Sequence, residues 1–159
     1  MKPHPSVRAV IVTGSLIVLA VVGFAAAQTA PKMSSGDVVA DRQRLMKLMG
    51  ANWQDAQAKM KAGTVEAIAV NAETMAVLAT HIPSFFPQGS LTDKSNAKPD
   101  IWQKWGEFEA AAKNLQTLAE KLRDTAKTKD AAATEAIVKE YGRQACGTCH
   151  TPFRVPPKS

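Results

Sequence analysis

Residues 142–154 read GRQACGTCHTPFR. They hold the only two cysteines of the 159-residue chain, Cys146 and Cys149, with His150 directly after the second. A disulfide across two intervening residues would close a tiny loop and remove little chain entropy, so the pair is a poor staple. Chemistry is the better explanation. Cys-x-x-Cys-His is the spacing of c-type haem attachment. Two thiols about one helical turn apart reach both vinyl groups on one porphyrin edge, and the next residue then lies under the iron. Gly147 and Thr148 are small enough not to obstruct the ring. A thioredoxin-like dithiol would call for a βαβ context. A structural zinc site would call for four ligands, and no convincing fourth accompanies Cys146, Cys149 and His150.

The N-terminus bears on the compartment. Lys2 and Arg8 precede an apolar run from Val10 to Phe24, and Ala25–Ala27 supplies small residues before Gln28. That is the layout of a secretory signal peptide over residues 1–27, which predicts export to a periplasm. Residues 9–27 are also about long enough to span a bilayer, so an uncleaved anchor is the rival reading. Cleavage would leave 132 residues with a net charge of +4 against +6 for the whole chain. That length makes one domain with a real core. The charge favours an acidic protein partner, while no Lys/Arg cluster with interleaved aromatics points to nucleic acid.

Residues 28–36 are polar and read as a flexible tether to a domain over residues 37–159. Four segments of that domain carry helical periodicity. The first, about residues 38–61, places Leu45, Met46, Met49, Trp53, Ala56 and Met60 on one stripe. Gly63 ends it, and Thr64 reads as the N-cap of the second, about 65–79, with Pro83 beyond. The third begins at Pro99 and runs through Trp102, Trp105, Phe108, Leu115 and Leu122. The fourth, about 130–151, carries the cysteine motif, and Pro152 limits its extension. No segment alternates like a strand. The expected fold is all-α, an antiparallel four-helix bundle. The long link from His81 to Lys98 is the exception to short connections; its length predicts a crossing loop that carries function, with Phe85 and Phe86 folded back onto the bundle.

An exported four-helix chain with Cys146-Gly-Thr-Cys149-His150 near its C-terminus resembles the class II c-type cytochromes, the cytochromes c′ and cytochromes c-556. DRQRLMKLMGANW (41–53) is similar to that family's first helix, FFPQGS (85–90) and AKPDIWQKWGEF (97–108) to its second loop and third-helix start, and CGTCHTPFR (146–154) to its ending. The resemblance implies one covalent haem c, with Cys146 and Cys149 as thioether anchors and His150 as the proximal iron ligand. It places Met46, four residues after Arg42, at the haem-facing position of the first helix, and Arg154 near the proximal haem face; by its spacing of four from His150, Arg154 is expected to share that helical face. Arg42 and Gln43 become candidates to bond a haem propionate or order the distal side; from the residues alone they are helix-surface polarity. Trp53, Trp102 and Trp105 read as core or haem wall, and His81 as surface.

The sixth iron position separates two functions. A thioether from Met46 would make a six-coordinate haem suited to carrying single electrons between periplasmic redox partners, as in c-556. With Met46 only filling the core, the iron would be five-coordinate and bind nitric oxide or carbon monoxide, as in cytochrome c′. Met49 is the next candidate ligand. No distal acid/base pair points to an enzyme. The family resemblance also raises a homodimer through the first two helices.

Overall fold

The computed structural model describes residues 35–156. The expected leader lies outside the described residues, as does the tether except for Ser35 and Gly36, which open the first helix. The helices are α1 (Ser35–Lys61), α2 (Ile68–His81), α3 (Asp100–Gln103), α4 (Trp105–Lys127), α5 (Ala131–Tyr141) and α6 (Thr148–Phe153). A π-helical turn, Gly142–Gly147, joins α5 to α6. With α5, the π turn and α6 counted as one rod, α1, α2, α4 and that rod form the four-helix bundle, as the periodicity predicts. Among the described residues no helix is long and apolar enough to cross a membrane.

Alanine explains how closely the rods approach. Ala56, Ala72, Ala119, Ala126 and Ala145 are each fully buried, and a methyl group keeps neighbouring backbones close. Larger side chains fill the spaces between: Ile68, Met75, Phe108, Leu122 and Tyr141 are almost wholly buried. Each large aliphatic side chain removed from water contributes about 1.5–3 kcal/mol. Asn71, also buried, joins α2 to α1 by donating to Asp55 (2.9 Å) and Asn52 (3.2 Å) and accepting from Lys59 (2.7 Å).

Several local expectations change. Thr64 does not cap the second helix. Its backbone N–H (3.0 Å) and its hydroxyl (3.2 Å) both donate to the Lys59 carbonyl. Gly63, at φ +72°, supplies the left-handed residue this closure of α1 needs. A 3₁₀ turn, Val65–Ala67, then leads into α2, which continues to His81. The third segment is broken at Lys104 (φ −120°, ψ 45°). The break lets the Trp102 indole bond the Phe86 carbonyl at 2.9 Å while Phe108 enters the core. The fourth segment starts as expected, with the Asp130 carboxylate accepting from the Ala133 N–H at 2.9 Å. It then widens into the π turn, where the Gln144 carbonyl accepts from Asn114 Nδ2 (2.8 Å) and Thr148 Oγ1 (2.6 Å). Pro152 is accommodated inside α6, which ends one residue later.

Candidate functional site

One cleft of about 420 Å³ lies between α1, the long loop and the C-terminal segment. Met46 from α1 and Cys149 and His150 from α6 line it, with Phe86, Phe108 and Phe153 among its apolar walls. The three rings form a chain, Phe86 to Phe108 at 4.7 Å and Phe108 to Phe153 at 5.5 Å between centroids. Residues more than a hundred positions apart in sequence thus bring a thioether, an imidazole and a thiol to one cavity.

The motif straddles two kinds of backbone. Cys146 sits in the π turn and Cys149 and His150 in α6. An added residue in a helical turn re-aims the side chains around it, and such turns recur at functional sites. Cys146 is half-buried and packs against the core, but does not line the cleft itself. Neither cysteine is in a disulfide. Burial pushes the Cys149 thiol up to about 11, with Cys146 adding to the effect, and burial raises the Cys146 thiol as well. Removal from water, and then the charge of Arg154, hold the His150 imidazole below its ordinary value. The neutral imidazole is the form that ligates a metal.

Arg42 departs furthest from what its sequence position suggests. It is 6% exposed, and no longer helix-surface polarity. Its Nε and Nη2 donate to the Phe85 carbonyl (3.0 and 2.9 Å), Nη2 also to Ser90 Oγ (2.7 Å), and Nη1 to Ser95 Oγ (3.1 Å). All these partners are neutral. Burial pushes its pKa down to about 10. A guanidinium has five N–H donors, so one Nη1 hydrogen remains. Buried cations are ordinarily paired with anions, yet no carboxylate lines the cleft, while Arg42, Lys47 and Arg154 all do. The donor set fits a large apolar group that carries its own carboxylates and an iron able to take sulfur or nitrogen. Haem c is such a group.

Arg154 reaches the cleft by a different route from the one its spacing suggests. It is extended (φ −115°, ψ 137°), beyond the end of α6, so it does not share a helical face with His150. It forms an antiparallel bridge with Ala97 instead. Gln43 lines the cleft and donates to the Lys94 carbonyl at 3.0 Å. Met49 is buried in the core and Met75 fully so, and neither lines the cleft. His81 is exposed. Trp53 stacks on Tyr141 at 4.7 Å, and none of the three tryptophans lines the cleft. Lys47, Ser90, Ser95 and Phe153 escape the sequence reading. Lys47 had a signal, since it follows Met46; the serines had none, because their partner is forty-eight and fifty-three residues away.

Comparison with known proteins gives the family. The family model described as Cytochrome C' matches residues 37–154. Cytochrome c-556 of Agrobacterium fabrum is 35% identical over 121 residues, covering 74% of this chain and 80% of the relative. Cytochrome c' of Rubrivivax gelatinosus is 29% identical over 123 residues, covering 75% and 95%. A solved cytochrome c' described by the ligand-controlled dissociation of its dimer superposes with a TM-score of 0.71 at 23% identity, over 79% of this chain and 99% of its own. The chain belongs to the cytochrome c′ family of class II c-type cytochromes, and its cofactor is one covalently attached haem c.

Proposed function

We propose that this protein is a periplasmic carrier of single electrons, c-556-like, with its haem held by Cys146 and Cys149 and its iron between His150 and Met46. The observation that carries this reading is the placement of Met46 and His150 on the walls of one cleft, from elements at opposite ends of the chain. When bound, the haem supplies a one-electron couple. The chain's own residues do the rest. The depressed imidazole pKa of His150 keeps a nitrogen lone pair available. The thioether of Met46 is a soft ligand that favours the reduced metal and raises the potential. The aromatic wall of Phe86, Phe108 and Phe153 excludes water, and Arg42 offers its remaining N–H to a propionate. Arg154, on the cleft beside His150, adds a second cation. The reading is of a carrier, in keeping with the family to which the chain belongs.

A second reading rests on Met46 itself. It also packs against the core cluster, as a methionine that only fills space would. The iron would then be five-coordinate and open to nitric oxide or carbon monoxide. Absorption spectra of the ferric and ferrous haem protein, with and without carbon monoxide, separate the two. The carrier requires a low-spin spectrum that carbon monoxide leaves unchanged, and Met46→Ala should convert it to a high-spin form that binds the gas. A wild-type protein that is already high-spin, and is unaltered by the substitution, supports the gas binder instead.

Leu48 on α1 and Val70 and Val77 on α2 are apolar and exposed. Val70 and Val77 are seven residues apart, hence on one helix face. They support a homodimer through the first two helices. Sedimentation of Val70→Glu as a monomer, against a wild-type dimer, is the expected result.

A further inference from the structure

α1, which carries Met46, packs mainly on α2 and meets the rod that carries His150 through α5, where Trp53 stacks on Tyr141. α1 has 27 residues and α2 only 14, so the first half of α1, which ends near Met46, extends beyond its α2 partner. Its neighbour there is the loop between α2 and α3. α6, for its part, packs on α4, the π turn and α3. At the cleft end of the bundle, the loop is hydrogen-bonded both to α1 and to the C-terminal segment.

Both attachments are explicit. On the α1 side, Arg42 bonds Phe85, Ser90 and Ser95, and Gln43 bonds the Lys94 carbonyl. Arg42 and Gln43 precede Met46 by four and three residues, so all three occupy one stretch of helix surface. On the C-terminal side, the Lys98 N–H donates to the Phe153 carbonyl (2.9 Å) and the Val155 N–H to the Asn96 carbonyl (2.8 Å), flanking the Ala97–Arg154 bridge. The Arg154 N–H in turn donates to the His150 carbonyl at 3.1 Å.

One atom belongs to both attachments. Ser95 Oγ accepts from Arg42 Nη1 at 3.1 Å and from the Ala97 N–H at 3.2 Å. A chain of hydrogen bonds and peptide links thus runs from the Met46 turn of α1, through Arg42, Ser95 Oγ, Ala97 and Arg154, to the backbone of His150. The chain has no side chain of high flexibility at its midpoint. Gly89, at φ +76°, closes the turn that brings Ser90 inward to Arg42 beside it.

We infer that Ser95 is a positioning residue that fixes the distance between the Met46 wall and the His150 wall, and so decides whether Met46 stays on the iron. This rests on the His150/Met46 reading above. Losing Oγ frees an Arg42 donor and the Ala97 N–H together, and removes the atom that the two attachments share while the other bonds at each end remain. A hydrogen bond to a charged group is worth about tenfold in an equilibrium constant.

The test uses the haem-loaded full chain and four proteins: wild type, Ser95→Ala, Ser95→Thr and Asp130→Ala. Asp130 caps α5, away from the cleft, and its loss destabilises the fold without touching the loop. The readouts are the low-spin fraction of the ferric protein, the affinity of the ferrous protein for carbon monoxide, and the temperature at which the methionine–iron charge-transfer band disappears relative to global melting. Ser95→Ala should bind carbon monoxide at gas concentrations that leave the wild-type spectrum unchanged, and lose the band well below global melting. Ser95→Thr, which keeps a hydroxyl, should resemble wild type, and Asp130→Ala should lose the band only as it melts. The inference is overturned if Ser95→Ala matches wild type in both ligand readouts, or if Asp130→Ala opens the iron equally. It is overturned alone if Met46→Ala opens the iron while Ser95→Ala does not. A high-spin wild type overturns it together with the electron-carrier reading.

Discussion

The Arg42 guanidinium stands 3.9 Å from the centroid of the Phe86 ring, and both side chains line the same cleft. The contact joins the first helix to the beginning of the loop between α2 and α3. It also places a buried charge on an apolar wall, where the ring's negative face offsets part of the desolvation cost. The loop carbonyl and two serine hydroxyls supply the rest of the solvation that water would have given.

Replacing that charge tests how much of the loop depends on it. Arg42→Met keeps most of the side-chain volume but strands the Phe85 carbonyl and the Ser90 and Ser95 hydroxyls. Relief from burying a cation without an anion offsets part of the loss. We expect the haem-loaded variant to lose about 2 kcal/mol in a guanidinium chloride unfolding titration. A midpoint equal to wild type would show that the loop holds itself.

Cys146→Ser tests the cofactor attachment. With one thiol left, a single vinyl group should remain unsaturated, and the pyridine haemochrome spectrum of the variant should shift to longer wavelength than that of the wild type. A variant with an unshifted spectrum would remove Cys146 from the attachment site.

Tyr141 gives a prediction in pH. Its hydroxyl is buried without a hydrogen-bond partner among the described residues. Burial, and then the neighbouring Cys146, raise its pKa well above the ordinary 10.0. The folded state therefore holds the phenolic proton more tightly than the unfolded state. The resulting stability is present below about pH 10 and is lost as the pH rises through the folded value. Tyr141→Phe should cost nothing at pH 7, or stabilise by about 1 kcal/mol, because an unpaired buried hydroxyl is removed. It should also flatten the alkaline fall in melting temperature. The chain has one tyrosine, so the comparison isolates this group. A Phe variant that melts lower at pH 7 would mean the hydroxyl has a partner in the haem-loaded protein.

The four rods of the bundle, their order and the Cys-x-x-Cys-His motif are legible in the amino-acid sequence. Periodic apolar stripes report which face of a rod must leave water, and that is a local property: Met46, Leu45, Ala56, Phe108 and Leu122 are readable one turn at a time. Cys146, Cys149 and His150 are adjacent in the chain, so their chemistry is legible without a fold. Tertiary structure decided the rest. Arg42 became buried, and its partners came from residues 85–95, because hydrogen-bond partners far apart in sequence leave no periodic trace. The π turn around Cys146 and the break at Lys104 likewise follow from packing against α4 and the loop, which override helical propensity. Arg154 left the helical face that its spacing from His150 suggests, because the bridge to Ala97 pairs the Phe153 carbonyl and the Val155 N–H with Lys98 and Asn96 where the helix ends. Local sequence shows which side chains carry candidate chemistry, but Met46 and His150 come to one cleft only when α1, the loop and the C-terminal segment pack together, because that meeting depends on contacts between residues far apart in the chain.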